Sequence, residues 1–148
     1  MTPHERFLKL IVDFAGPGPE GVLELVQNEM TLDADGPVRL VLEEQREEIV
    51  FSTLIYCAEG EPELLDDEIV ADFNAYHLFH GGFRLSIDRD FECLYIVQTN
   101  SLARMEAVGL DAFFEDFITR CANCTRWYMA EITLEEADED EITVLAPA

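Results

Sequence analysis

Cys121-Ala122-Asn123-Cys124 sets two thiols three residues apart, the spacing of a redox-active or zinc-binding pair. In a redox enzyme such a pair follows a strand and opens a helix, where the dipole stabilises a thiolate. Here it falls deep inside a helical pattern. A zinc site would have to recruit Cys57 and Cys93, each alone in a strand-like run without paired spacing. The pair therefore reads as small apolar packing on one helical face. His77 and His80 share a face with Tyr76, but spacing ties no acid or nucleophile to them, and a helix-end histidine beside Gly81 suits the negative end of the helix dipole. His80-Gly81-Gly82 has the look of an oxyanion loop, yet no Gly-x-Ser-x-Gly elbow exists to use it. Asp33-Ala34-Asp35-Gly36 begins like a calcium loop, but Pro37 and Val38 stand where the next oxygen ligand and the glycine belong, so it reads as a turn. No glycine-rich phosphate loop occurs, and no carboxylates are visibly paired in an apolar setting. The residues offer no catalytic set, no metal site and no cofactor site.

What the chain does carry is an unusual balance. Its 148 residues hold 32 Asp and Glu against 9 Lys and Arg, for a net charge of -23, while 49% are hydrophobic. Acidic chains that stay disordered lack apolar residues to bury, whereas this one predicts a single compact domain with a strongly negative surface. At this length roughly 70% of the extended-chain surface can be buried, enough for a core without disulfides or metal. Such a surface repels nucleic acid and favours encounter with basic partners. Cysteines dispersed through apolar stretches, with no signal-peptide opening, predict reduced thiols in the cytosol. No run approaches the roughly 20 apolar residues that cross a bilayer, so no membrane partner is expected.

The elements follow from period and punctuation. Thr2-Pro3-His4-Glu5 is a helix start, with Thr2 as N-cap and Glu5 placed to return the capping bond. Phe7, Leu10, Ile11 and Phe14 recur at helical spacing, and Leu8, Val12 and Ala15 widen the stripe until Gly16-Pro17-Gly18-Pro19, giving a first helix over 3–15 with room for a second contact. From Val22 to Ala58 the pattern alternates. Met30 and Leu32 precede the turn at 33–36, Val38, Leu40 and Leu42 follow on one face, and 43–48 is a polar hairpin tip. Then Ile49, Phe51, Thr53 and Ile55 oppose Val50, Leu54 and Tyr56. This strand is apolar on both sides, so it is either covered twice or partly bare and waiting for a partner. Leu64, Leu65, Ile69, Phe73 and Tyr76 mark a second helix up to His80, with Gly81-Gly82 as its stop. Phe83, Leu85 and Ile87, a turn at 88–90, and Leu94 with Ile96 make a second hairpin, and about 105–132 is the longest helix. Residues 135–148, opening on a like-charge block, read as an acidic, flexible tail after a domain over 1–134. The predicted class is α+β, three helices and a five-strand antiparallel sheet in the order α-β-β-β-α-β-β-α.

This order, with the acidity and size, resembles the type III secretion effector chaperones of Gram-negative bacteria, the class I, Tir-chaperone-like family, over about residues 5–130. The resemblance rests on Phe7-Leu8-xx-Ile11-xx-Phe14-Ala15, Leu32-Asp33-Ala34-Asp35-Gly36 before Val38-x-Leu40, Leu64-Leu65 and Phe73-Asn74, Phe83-x-Leu85-Ser86-Ile87-Asp88, and Trp127 near the end of the last helix. The Pro-Gly pairs after the first helix and the C-terminal tail depart from the pattern. The resemblance implies a cytoplasmic homodimer, not an enzyme, that holds the N-terminal segment of a cognate effector in extended form for export. Its partners would be that effector, a second copy of itself and components of the secretion apparatus. On this reading the effector-binding candidates are Phe7, Leu8, Ile11, Phe14, Leu40, Leu42, Phe51 and Leu54. The first-helix residues also fit the core, and both roles can occupy different sides of one helix. The family tends to place its dimer seam on the second helix and the strand after it, which nominates Phe73, Tyr76, Phe83, Leu85, Ile87, Leu94 and Ile96. Charge alone supports a competing role, an acidic inhibitor or nucleic-acid mimic that blocks a basic site on a partner. A small enzyme using the cysteines or histidines is a third class.

Overall fold

The computed structural model describes residues 1–15, 22–26, 28–33, 36–77 and 83–145, with side chains for all of these except residues 15, 22–26, 33 and 135–145. Helix α1 spans Pro3–Ala15. Thr2 caps it: its hydroxyl accepts from Glu5 N at 3.1 Å, satisfying one of the amides a helix start leaves open. Strands β1 (Val22–Val26), β2 (Glu29–Asp33), β3 (Pro37–Glu43) and β4 (Glu48–Cys57) follow. A short 3-10 turn at Pro62–Leu64 leads into α2 (Asp67–His77), then β5 (Phe83–Asp88) and β6 (Cys93–Ser101). Helices α3 (Leu102–Val108) and α4 (Leu110–Leu145) close the chain.

All strand pairs are antiparallel, in the order β1-β2-β3-β4-β6-β5. The α+β class and the order of helical and strand regions are as predicted, but the sheet has six strands rather than five. The stretch read as one strand before the 33–36 turn is a hairpin, in which Val26 pairs with Glu29. Its turn carries no glycine or proline, only Asn28, a residue that tolerates turn geometry without announcing it. The long last helix is likewise two. Gly109 separates them with φ of +107°, in the left-handed region that favours glycine, and its amide closes α3 on Met105 O at 2.8 Å. Ser101 caps α3 by accepting from Arg104 N. Helix α2 starts at Asp67 rather than Leu64, because the Asp66 carboxylate accepts from Glu68 N and Ile69 N at 2.9 and 3.1 Å. The backbone of α4 continues to Leu145, through the acidic run from Glu135.

The core lies on one face of the sheet. Val38, Leu40 and Leu42 of β3, Ile49 and Phe51 of β4, and Leu94 and Ile96 of β6 are buried there against Phe7 and Ile11 of α1, Leu102 and Met105 of α3, and Phe117 and Tyr128 of α4. Phe51 meets Phe117 edge-on at 5.3 Å between ring centroids, the arrangement that aromatic quadrupoles prefer. Tyr128, fully buried, donates to Leu64 O at 2.7 Å and accepts from Asp66 N at 3.0 Å, so the phenol is paid for twice and fastens α4 to the entry of α2. The ladder between β4 and β6 shifts register between Leu54 and Tyr56. This bulge moves Tyr56 to the core side, opposite buried Leu94 and 6.1 Å from the Tyr128 ring, whereas simple alternation put it with Val50 and Leu54. On the other face Arg39, Arg84, Ser86 and Leu54 are exposed, and Val41, Val50, Tyr95 and Val97 only half-buried. Strand β4 is thus central, yet among the described residues helices cover it on one side alone.

Candidate interaction surfaces

The chemistry-bearing residues do not assemble. Cys121 and Cys124 are buried on α4. Burial pushes both thiols up to about 12, with the neighbouring Cys124 a second cause at Cys121, so neither supplies a thiolate near neutral pH. His77, in the last turn of α2, lies against the Phe73 ring at 4.2 Å. His80 and Asp35, named above for a helix end and a calcium-like turn, lie outside the described residues. Among the described residues no group of three or more His, Cys, Asp or Glu is gathered as for a metal ion, and no helix is long and apolar enough to cross a membrane.

Burial divides the effector-binding candidates. Phe7, Ile11, Leu40, Leu42 and Phe51 are interior. In this fold they pack into the core, Phe7 and Ile11 from α1 and the others from the sheet face that the helices cover. Leu8 and Phe14 are half-buried, and Leu54 is 43% exposed on the uncovered sheet face. Phe14 is held by Phe114 at 5.4 Å. The residue missed from that group is Val12, 52% exposed and one helical turn beyond Leu8, so the two form an apolar ridge on α1. Its signal was present in the sequence as the widening of the stripe.

Helix α1 is pinned from its other side. Arg6 donates to Glu47 Oε1 at 2.8 Å and through Nε to both carboxylate oxygens of Glu106 at 3.1 Å. The bidentate hydrogen bond to Arg6 holds the Glu106 carboxyl below the usual carboxylate range. At its N-terminal end, His4 Nδ1 meets Asn28 Oδ1 at 2.6 Å, which brings the start of α1 to the β1–β2 turn.

The two edges of the sheet differ. At β5 the outward backbone of Leu85 is occupied: Leu85 N donates to Asn74 Oδ1 at 2.7 Å, and Asn74 Nδ2 donates to Leu85 O at 2.9 Å. A single α2 side chain thus takes the place of a next strand, one of the ways proteins blunt an edge. At the other edge, β1 pairs with β2 only, and no strand lies on its outer side among the described residues.

Among the dimer-seam candidates, Leu85, Leu94 and Ile96 are core residues, pointing inward because they occupy the covered face. Tyr76 is 71% exposed, Ile87 is half-buried, and Phe73 and Phe83 are buried but line an open groove. That groove, of about 720 Å³, runs between α2, β5 and α4 and is walled by Phe73, Tyr76, His77, Phe83, Cys124 and Trp127, with Asp72, Arg120 and Asn123 at its polar margin. The Phe73 ring packs on Trp127 at 5.2 Å and on Phe83 at 5.9 Å.

No protein-family model matches the chain, and no curated protein matches it. Solved structures do. A chain of the HopA1–SchA chaperone–effector complex superposes with a TM-score of 0.58 at 11% identity, over 85% of this chain and 92% of its own length. A chain of the ExsC–ExsE complex gives 0.63 at 18% identity, over 86% and 94%. At such identities what is shared is the fold.

Proposed function

We propose that this chain is a type III secretion chaperone: a homodimer of the bacterial cytoplasm that keeps the N-terminal segment of one cognate effector extended, soluble and ready for export. The observation that carries this reading is the outer side of β1, where no strand lies among the described residues, in the fold of a chain from a chaperone–effector complex. An extended segment laid along such an edge gains main-chain hydrogen bonds, and apolar side chains beside it select the sequence. The α1 ridge of half-buried Leu8 and exposed Val12 offers a further apolar surface to the client. The β5 edge is less suited to this, because Asn74 already occupies the outward N–H and C=O of Leu85 at its middle. Ordering a flexible client costs about 2–5 kcal/mol, so a long wrapped contact suits the task better than a single pocket. The groove of Phe73, Tyr76 and Trp127 is the seam for the second copy. The carboxylate coat keeps these apolar surfaces from associating, and it steers a client of opposite charge. The acidic segment 135–148 is an extension of that coat beyond the binding domain.

The test is reconstitution with the N-terminal segment of a candidate secreted effector. A stable complex with two copies of this chain per client, persisting at about 1 M salt where the Debye length shrinks to about 3 Å, is the expected outcome. A complex that dissolves with salt and competes with DNA would instead support the acidic mimic that blocks a basic site, since a purely electrostatic contact is screened away.

A further inference from the structure

Cys57 and Cys93 take no part in the client-binding surfaces, yet they are the only two thiols among the described residues that touch across the sheet. They are register partners at the last pair of the β4–β6 ladder. The next residues, Ala58 and Glu92, are joined by a backbone hydrogen bond of 2.9 Å, which makes Cys57 and Cys93 a non-hydrogen-bonded pair. In such pairs the Cα atoms stand about 4.5 Å apart and the side chains come closest, just inside the range of about 4.4–6.8 Å that a disulfide spans. The two Sγ atoms are already 3.0 Å apart, and a bond needs an approach of about 1 Å more. We propose that Cys57 and Cys93 form a reversible cross-strand disulfide by exchange with a low-molecular-weight disulfide of the glutathione type.

Exposure assigns the order of steps. Cys57 is exposed, so its thiolate attacks one sulfur of the small disulfide, expelling one thiolate and leaving a mixed disulfide on Cys57. Cys93 is buried, and its thiol donates to Phe91 O at 3.1 Å. It then attacks the Cys57 sulfur and expels the second thiolate. Both protein thiols are oxidised, the small disulfide is reduced to two thiols, and the two protons released end on those thiols. The hydrogen bond to Cys57, burial and the negative charges of Asp88 and Glu59 push the Cys93 thiol up to about 11, so ring closure is the slower step. The bond would lock the strand end from which the chain leaves the sheet for α2, where Glu92 Oε2 already accepts from Gly60 N at 2.9 Å. Cys121 and Cys124 are buried on α4, with Cys124 in the wall of the groove between α2, β5 and α4.

The full-length reduced protein is incubated with oxidised glutathione, denatured, alkylated and weighed. Two of its four thiols should be lost to alkylation, the mass before alkylation should fall by about 2 Da for the two hydrogens removed, and a peptide joining Cys57 to Cys93 should appear and vanish with dithiothreitol. The surface change Cys57→Ser should abolish the bond, and Cys121→Ser with Cys124→Ser should leave it intact. A stable glutathione adduct without closure, a bond between two chains, four thiols still free, or an intrachain bond formed in Cys57→Ser would each overturn the assignment. None of these outcomes depends on the chaperone reading.

Discussion

Phe51→Ala lowers the stability of the folded chain by about 3–5 kcal/mol, the range for removing a fully buried aromatic. Phe51 is 0% exposed at the middle of the central strand, with Leu40 beside it on β3, Gln98 on β6 and the Phe117 ring edge-on above it. Every neighbour belongs to regular structure, so the void left by the ring cannot close without moving a strand or α4, and incomplete collapse is what makes such cavities costly. Urea unfolding at fixed protein concentration measures the loss as a shift of midpoint at constant slope. Because domains of this size are stable by only about 5–15 kcal/mol, the variant sits near the limit of folding. A loss below about 1 kcal/mol would mean that the sheet face under α4 is not the core.

Val12→Glu should do the opposite, leaving stability within about 0.5 kcal/mol, as for an ordinary surface change, while weakening the client complex at least about tenfold. Val12 is half exposed on α1 and contributes nothing to the core. If a client covers it, the variant gives up part of the roughly 1.5–3 kcal/mol that burying such a side chain is worth and forces a carboxylate under the client, a further cost. A drop of about 1.4 kcal/mol is already tenfold. Titration of client into the two proteins, with their unfolding midpoints as control, checks both halves of the expectation. Equal affinity would remove the α1 ridge from the binding surface.

The contrast between these two residues shows what the sequence could and could not tell. Alternation placed Val38, Leu40, Leu42, Ile49 and Phe51 on one face, and helical spacing put Phe7 and Ile11 on another, because one-sided burial imposes those periods. Neither period says whether a buried face is closed by the same chain or by a partner. The early grouping of Phe7, Leu40 and Phe51 with Leu8 and Leu54 as client contacts therefore mixed core with surface. Period and punctuation supplied the order of helical and strand regions, on which the resemblance to secretion chaperones rested, and the fold follows that order. The counts failed where punctuation was weak: at Asn28, one residue that turns a strand into a hairpin, and at Gly109, one glycine that divides a helix. The bulge before Tyr56 was equally silent, since an extra residue leaves no mark on composition. Asn74 was legible only as part of the motif Phe73-Asn74. Its bond to the β5 edge depends on a long-range approach that no local pattern encodes.

The central claim, that a client lies along β1, is tested most directly by backbone hydrogen exchange of the protein alone and in its client complex. If the account is right, the amides of Val22–Val26 slow by about tenfold or more on binding, together with those of α1 around Val12, while β5, already capped by Asn74, is unchanged. Unaltered exchange in β1, with protection confined to the groove between α2 and α4 or to the acidic segment, would contradict it.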